Sequence, residues 1–256
     1  MIFMLLDLVR GAARRVIPTA ARRRITAAAL RSTRWPPPGL VDLGDLRRTS
    51  PISGDWGFDR GTPIDRYFID RFLTANAGSV QGRVLEIDGD QYTRAYGADR
   101  VTHSDVLHQS EHIDGVTIVG DLTDGSTIPS DAFDCVIVTQ TLQLIYHPAA
   151  AVQTIHRILR PNGVALCTFP GISKMTADEK KRWGYYWGFT SLSAIRLFGE
   201  HFGAERVEVE SYGNVLSASA FLFGLAAEDL RQEELDVVDT DFELLLAVRA
   251  TKAGQP

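Results

Sequence analysis

The sequence is poor in cysteine and has no long apolar segment, and each absence excludes a class of protein. Its two cysteines, Cys135 and Cys167, lie inside apolar runs, which is typical of buried, reduced thiols rather than of a disulfide. No cluster of cysteine and histidine has the spacing of metal ligands, so we expect no metal site. No stretch approaches the roughly 18–20 apolar residues that a transmembrane helix requires.

The first 35 residues differ in charge from the rest of the chain. They contain eight arginines and one acidic residue, Asp7, and therefore carry a net charge of +7, while the total of −5 leaves −12 on residues 36–256. An acidic body argues against nucleic-acid binding, which needs a basic surface on the domain itself. Residues 1–9 are apolar but lack a preceding basic region and a convincing cleavage site. We therefore expect a cytoplasmic protein without a signal peptide.

The run Pro36-Pro37-Pro38-Gly39 marks a domain boundary, because it cannot continue a helix. We divide the chain into a basic helical extension over residues 1–39 and a catalytic domain over residues 40–256. Two interpretations of the extension stay open. Residues 1–34 contact an anionic membrane surface or a partner through their arginines, or they form a solvated or packed helical extension.

Beyond residue 62, short apolar segments alternate with segments of helical spacing. Thr62-Pro63 has the form of a helix start, with Thr62 as the cap and Pro63 at the first helical position. Strands are predicted over 83–88, 101–105, 116–119, 133–139, 164–169, 207–210 and 242–248, and helices over 64–77, 149–159, 191–202 and 215–227. This alternation indicates an α/β fold with a doubly wound, mostly parallel sheet covered on both faces.

Polar side chains follow the first four predicted strands. They are Asp88 with Asp90, then Asp105, Asp121 and Gln140. In an open α/β sheet, ligands bind beyond the carboxyl ends of the strands, near the switch point in strand order. Several carboxylates there suit a nucleoside with ribose hydroxyls and an ammonium, and they repel a phosphate. No G-x-G-x-x-G follows the first strand, which argues against a nicotinamide cofactor.

Four segments, in order along the chain, resemble class I S-adenosylmethionine-dependent methyltransferases. Residues 84–90 (VLEIDGD) look like the family's first motif, a strand followed by an acid and a glycine-rich turn. Asp121-Leu122, with residues 128–134 (IPSDAFD), resembles the family's Asp-x-x-x-L-P-x-x-x-x-F-D segment, and residues 157–163 (RILRPNG) resemble its R-x-L-K-P-G-G turn. Residues 186–190 (YWGFT) are similar to a Y-W-x-F-T segment of small-molecule and glycan methyltransferases.

The resemblance covers roughly residues 64–250 and has consequences for fold and cofactor. It implies a seven-stranded Rossmann-like sheet in the order 3-2-1-4-5-7-6, with the last strand antiparallel, and S-adenosyl-L-methionine as the cofactor. By position, Asp105 would bind the ribose hydroxyls, while Asp121 and Leu122 would frame the adenine. Gln140 would line the site of methyl transfer. The backbone of Asp88 to Asp90, which includes Gly89, would approach the methionine part. Glu86 and Ile87, just before this loop, also belong to the implied cofactor site.

This loop departs from the family pattern. Asp88 stands where the first glycine is expected, and Asp90 breaks the G-x-G. Asp tolerates a positive φ better than most residues, and its carboxylate could meet the cofactor's ammonium. The departure also motivates an alternative from another class, a non-catalytic binding or scaffold module that keeps the fold.

Three further residues have two interpretations each. Glu86 lies inside a strand, where an unpaired charge is costly, so it serves either the site or a structural partner in the N-terminal segment. Arg60 would pair with the cofactor's carboxylate, and Tyr67 would contact the ligand, if the helix from residue 64 covers the cofactor. Otherwise both belong to a surface cap.

The chemistry implied by the resemblance is direct displacement at a methyl group. It needs alignment and exclusion of water more than a nucleophilic side chain, and the sequence has no Ser/His/Asp or Cys/His set. A base is needed only for a poorly acidic hydroxyl, and the candidates are Tyr185, Tyr186 and His147. The surrounding aromatic residues form either a substrate wall or a packed lid. The predicted function is methyl transfer to a small molecule, a sugar or a glycan.

Overall fold

A computed structural model describes residues 36–37, 39–112 and 114–254, so the predicted helical extension lies almost wholly outside the described residues. The chain forms two compact units, Met1–Thr49 and Ser50–Pro256. In the described part of the first unit, Gly44–Leu46 form a 3-10 turn. Over the described ranges, no helix is both long and apolar enough to cross a membrane.

One mixed sheet of seven strands, counted over the described residues, forms the centre of the second unit. The strands are β1 (Gly82–Ile87), β2 (Val101–His108), β3 (Ile118–Val119), β4 (Phe133–Thr139), β5 (Leu159–Pro170), β6 (Val207–Tyr212) and β7 (Leu245–Thr251). Their order is β3-β2-β1-β4-β5-β7-β6. β1 to β5 pair in parallel, and β7 is antiparallel to both of its neighbours. The predicted fold class and strand order are confirmed.

Helices cover both faces of the sheet. They are α1 (Ile64–Ala75), α2 (Gln91–Gly97), α3 (Pro148–Ile158), α4 (Ala177–Arg182), α5 (Ser191–Phe202), α6 (Val215–Leu222) and α7 (Gln232–Leu235). Short 3-10 turns lie at Ala77–Ser79, Ala98–Arg100, Leu142–Leu144, Ala204–Arg206 and Ala227–Asp229. The predicted start of α1 needs a correction. Pro63 takes the cap position, and the Thr62 hydroxyl instead donates to Glu228 Oε1 at 2.8 Å.

The core is divided by the sheet into two layers, because successive side chains of a strand point to opposite faces. In β4, Val136 and Val138 belong to the layer under α3 and α5. Cys135 and Ile137 belong to the layer under α1 and α6. Both cysteines are free and buried, as predicted, and burial raises the pKa of the Cys135 thiol far above its ordinary value.

The predicted turn at residues 160–163 is part of β5 in the structure. The Asn162 amide donates to the Lys252 carbonyl at 3.0 Å, and the Lys252 amide donates to the Gly163 carbonyl at 2.9 Å. A Cβ on Gly163 would meet the Arg160 oxygen at 2.8 Å and the Phe133 oxygen at 3.0 Å. The segment therefore forms a bulge of β5, where the register with β4 shifts between Leu159 and Val164. Only glycine fits where neighbouring backbone approaches so closely.

Candidate active site

A cavity of about 720 Å³ opens at the carboxyl ends of β1, β2 and β4. β1 lies between β2 and β4, so the chain winds away in both directions from this point, which is where open α/β sheets bind ligands. We call this space the larger cavity. It is lined by Phe58, Arg66, Asp70, Ile87, Asp88, Gln91, Tyr92, Leu107, His108, Gln109, Gly120, Asp121, Leu122, Thr139, Gln140, Thr141, Leu144, Ile145, Arg182 and Trp183.

The loop after β1 brings backbone and a carboxylate to this cavity. Asp88 has a φ of 67°, a left-handed conformation that Asp adopts more readily than most residues. Its amide donates to the Leu107 carbonyl at 3.1 Å, and its largely exposed carboxylate lies 3.4 Å from His108 Nε2. Ile87 also lines the cavity, whereas Gly89 lies in the loop without being a lining residue.

Glu86 serves the helix that follows the loop rather than the cavity wall. Its Oε2 accepts hydrogen bonds from the Thr93 amide at 2.7 Å and the Thr93 hydroxyl at 2.8 Å, and its Oε1 accepts from the Tyr92 amide at 3.1 Å. Burial raises the pKa of this carboxyl above its ordinary value. The contacts favour a structural role, but the partner is the start of α2 and not the expected N-terminal segment. These hydrogen bonds hold the start of α2 against β1.

The predicted position of Asp105 needs a correction. β2 continues to His108, so Asp105 lies inside the strand, paired in register with Leu85, and it does not line the larger cavity. Its Oδ2 lies 2.7 Å from Arg83 Nε, and its Oδ1 accepts from the Thr117 hydroxyl at 2.7 Å. The residues at the carboxyl end of β2 that do line the cavity are His108 and Gln109.

The segment after β3 lies at the cavity as expected. Asp121 Oδ2 accepts from Gln109 Nε2 at 2.9 Å, and its Oδ1 accepts from the Thr123 amide at 2.7 Å. The next residue, Leu122, is buried and faces the same space as Leu107. This wall combines a polar edge with an apolar surface of the kind that a flat base requires.

Gln140, directly after β4, has a strained backbone. Its φ is 48°, in a region that is costly for a residue with a side chain and that occurs often at functional sites. Its amide donates to the Thr168 carbonyl at 2.8 Å, which holds the turn against β5. Gln140 lines the larger cavity and also a second one.

The second cavity, of about 230 Å³, shares a wall with the first. Four residues line both spaces, namely Phe58, Arg66, Gln140 and Leu144. We call this space the smaller cavity. Its other lining residues are Asp55, Trp56, Asp65, Gln143, Ser173, Glu179, Tyr185 and Phe221.

Two residues predicted around the start of α1 lie elsewhere. Arg60 donates two hydrogen bonds to the Asp229 carboxylate, at 2.9 and 2.6 Å. The Tyr67 hydroxyl accepts from Gln232 Nε2 at 2.6 Å. Neither lines the larger cavity or the second one described above, so their contacts favour the surface interpretation.

Arg66 and Asp70 of α1 line the larger cavity instead, and the sequence interpretation missed both. They are four residues apart, and this spacing puts two side chains on the same face of a helix. Tyr67 and Arg71 have the same spacing, so the sequence alone does not show which pair faces the cavity.

The aromatic segment after β5 is spread over several positions. Trp183 lines the larger cavity and Tyr185 the smaller one, and burial raises the pKa of the Tyr185 hydroxyl. Tyr186 is half exposed and packs edge-on against Tyr146. His147 is exposed at the cap of α3 and lines neither space. Of the three predicted bases, only Tyr185 lines a described cavity.

The residues of the larger cavity fit an S-adenosylmethionine molecule. That molecule carries a sulfonium, an ammonium, a carboxylate, two ribose hydroxyls and a flat base. The wall offers carboxylates at Asp70, Asp88 and Asp121 and guanidinium groups at Arg66 and Arg182. Arg182 is already paired with Asp178. Opposite charges attract across such short distances. The apolar surface for the base is formed by Ile87, Leu107, Leu122 and Ile145.

Comparison with known proteins points to one enzyme class. Residues 72–167 match the family model described as "Methyltransferase domain", a range that includes the loop after β1, Asp121, Leu122 and Gln140. No curated protein sequence matches the chain significantly. The domain match, together with the observed strand order, confirms the predicted resemblance, and with it the enzyme class and the cofactor.

Several solved structures are similar in fold at low sequence identity. A methyltransferase dependent on S-adenosylmethionine from Mesorhizobium loti is 17% identical, with 74% of this chain and 98% of that chain covered and a TM-score of 0.47. One from Archaeoglobus fulgidus is 11% identical, with 73% and 94% covered and a TM-score of 0.48. The N-methyltransferase NodS from Bradyrhizobium japonicum, in complex with S-adenosyl-L-homocysteine, is 14% identical, with 78% and 93% covered and a TM-score of 0.46.

Proposed function

We propose that this chain, a class I S-adenosylmethionine-dependent methyltransferase, transfers the methyl group to a small molecule, a sugar or a glycan. The observation that carries the proposal is the pair of adjoining cavities at the carboxyl ends of β1, β2 and β4. The larger has the size and the charges for the cofactor. The smaller is polar and meets it at Gln140, so a second molecule there would face the reacting end.

Within the larger cavity, we assign the methionine part to the side of Arg66 and Asp88. The guanidinium would pair with the carboxylate of that part, and the Asp88 carboxylate would accept from its ammonium. The adenine ring of the cofactor would lie against Leu122, with Asp121 at the edge of the ring. His108 and Gln109 at the end of β2 would take the ribose role that the sequence pattern gave to Asp105, because both side chains line the cavity there.

The bound cofactor supplies a methyl group activated by a positive sulfur. The chain's own contribution is to align the two molecules and to exclude water. Alignment of this kind can lower the activation free energy of the transfer substantially. Trp183, a half-exposed residue of the larger cavity, would limit the access of water together with Phe58 and Leu144 on the shared wall. Gln140 holds the junction between the two sites through its fixed, left-handed turn.

The experiment that tests this function is a calorimetric titration. We expect S-adenosylmethionine and S-adenosylhomocysteine to bind the purified full chain and NAD to give no heat. Absence of heat for the first two at millimolar concentration, or binding of NAD alone, would contradict the assignment. Binding without transfer of a labelled methyl group to any sugar, glycan or small-molecule acceptor would instead favour the non-catalytic alternative.

We also propose that residues 1–34 contact an anionic membrane surface. The support is their charge, since eight arginines against one acid contribute about 1 kcal/mol each near such a surface. A lipid-linked or envelope glycan would then be presented close to the enzyme.

A further inference from the structure

Two residues that line the smaller cavity each carry a buried polar atom with no partner among the described residues. The two atoms are Gln140 Nε2, a donor, and Gln143 Oε1, an acceptor. Gln143 is only 4% exposed. Buried polar groups in native proteins are nearly always hydrogen-bonded, so each exception needs an explanation, and a ligand in this cavity would provide one.

The orientation of both amides is fixed by their neighbours. Gln143 Nε2 donates to the backbone oxygen of Gln140 at 2.8 Å and to Gln140 Oε1 at 3.2 Å. Exchanging the nitrogen and oxygen of Gln143 would set two oxygens against each other, so the assignment of donor and acceptor follows from the contacts. One unpaired donor and one unpaired acceptor therefore lie on neighbouring side chains at this cavity.

A carboxylate lies in the same cavity. Asp65, in the first turn of α1, is 9% exposed, and its Oδ1 accepts from the Arg66 amide at 2.8 Å. Burial raises the pKa of this carboxyl, against the lowering effect of Arg66. The other charged or titratable groups that line the cavity are Asp55, Glu179 and Tyr185.

We propose that the smaller cavity holds the methyl acceptor as a neutral, hydroxyl-bearing ring of the size of one sugar, and that Asp65 is the catalytic base. This inference rests on the proposed function. The acceptor oxygen attacks the methyl carbon, the new carbon–oxygen bond forms as the carbon–sulfur bond breaks, and that electron pair stays on sulfur. The hydroxyl proton passes to the Asp65 carboxylate, so one neutral ether and one neutral thioether result.

A hydroxyl matches this cavity better than an ammonium does. A hydroxyl both donates and accepts, whereas an ammonium only donates and would leave the Gln140 donor unpaired. The ring of Trp56, which could otherwise attract a cationic ligand, already has the Lys174 ammonium 3.9 Å from its centroid. The cavity volume of about 230 Å³ also limits the size of the bound group. It corresponds to only several water molecules at about 30 Å³ each.

The test uses the full chain saturated with S-adenosylhomocysteine and three neutral probes, the methyl α-pyranosides of glucose, mannose and galactose, with ethanolamine as the cationic probe. Saturation-transfer NMR should show binding of at least one pyranoside and none of ethanolamine. Gln143→Leu should weaken that binding about tenfold, and Gln143→Met serves if the first variant unfolds at a lower temperature. Asp99→Asn, on an exposed turn, is the matched control and should bind like the wild type.

The role of Asp65 is tested with methyl-labelled cofactor and the pyranoside that binds. Asp65→Asn should lower kcat by about 100-fold or more while KM and cofactor affinity change little. The wild-type rate should rise with pH through a pKa above the ordinary carboxyl range, and the variant should lose this rise.

Each result has a distinct meaning. Failure of S-adenosylhomocysteine to bind would remove the proposed function itself. Cofactor binding with no pyranoside bound or methylated, or with ethanolamine bound alone, would overturn the acceptor assignment and leave the function in place. An unchanged rate or an unchanged pH profile in Asp65→Asn would overturn the assignment of the base.

Discussion

Arg83 Nε lies 2.7 Å from Asp105 Oδ2, and this ion pair between neighbouring strands takes the Asp105 carboxylate out of the active site. Burial opposes ionisation of Asp105, but the hydrogen bonds from Arg83 and Thr117 outweigh it, so the pKa of this carboxyl lies below its ordinary value. Asp105 thus stabilises the edge of the sheet that carries His108 and Gln109.

We expect Asp105→Asn to destabilise the fold by about 1.5–3 kcal/mol near pH 7, the usual contribution of a hydrogen bond to a charged group. Because the folded pKa is lowered, this stability is complete above the unfolded pKa of about 3.9 and is lost as the pH falls through the folded value. Urea unfolding at several pH values should show the difference shrinking in acid. A tenfold loss of cofactor affinity with unchanged stability would restore the ribose role.

A second prediction compares two aspartates at opposite ends of strands. Asp121→Ala should weaken binding of S-adenosylhomocysteine about tenfold. The free energy of one charge-assisted hydrogen bond exceeds the roughly 1.4 kcal/mol that corresponds to a tenfold change in affinity. Asp134 accepts from the Arg83 amide and from Arg160 at the amino end of β4, so Asp134→Ala should lower stability and leave affinity alone. If calorimetry shows equal losses of affinity in both variants, the cofactor site has been assigned to the wrong end of the strands.

A third prediction compares two arginines near the start of α1. Arg66→Ala should weaken cofactor binding about tenfold or more, because Arg66 lines both cavities. Arg60→Ala should change neither affinity nor stability measurably, since its ion pair with Asp229 is solvent-accessible and such pairs contribute little. The reverse result, affinity lost only with Arg60, would support the pairing expected from the sequence.

A fourth prediction concerns the Arg-rich segment. Deleting residues 1–34 should leave cooperative unfolding intact, because residues 50–256 form a compact unit of their own. Binding to vesicles with anionic lipid should be lost in the deletion variant and weakened by salt in the full chain. Loss of cooperative unfolding would show that the segment belongs to the core, and undiminished vesicle binding would exclude the segment as the membrane contact.

The sheet could be predicted from the sequence because its strands are marked by local patterns. Residues 133–139 are predicted as a strand with the bounds that β4 has in the structure, since the centre of this run, Cys135 to Val138, is apolar and buried on both faces. The end of β2 was wrong by three residues. Ser104 and Asp105 look like the polar end of a strand, and the partner that neutralises Asp105 is Arg83, which only the strand register brings beside it.

The candidate site was less predictable, because its residues depend on tertiary placement. Asp88, Asp121 and Gln140 follow strands directly, so their position at the cavity could be inferred. Asp65 and Gln143 come from a helix and from a 3-10 turn, and no sequence pattern shows that these two elements meet. That the Asp65 carboxylate is buried in the same cavity as Gln143, whose amide oxygen has no partner, becomes apparent only in the folded structure.

The most direct test of the account is a crystal structure of the full chain with S-adenosylhomocysteine. We predict ligand density in the larger cavity. The adenine should lie against Leu122, the ligand's carboxylate beside Arg66, and the sulfur should be directed toward Gln140 and the smaller cavity. The account would be contradicted by density elsewhere on the molecule, or by a ligand in this cavity whose sulfur points away from Gln140.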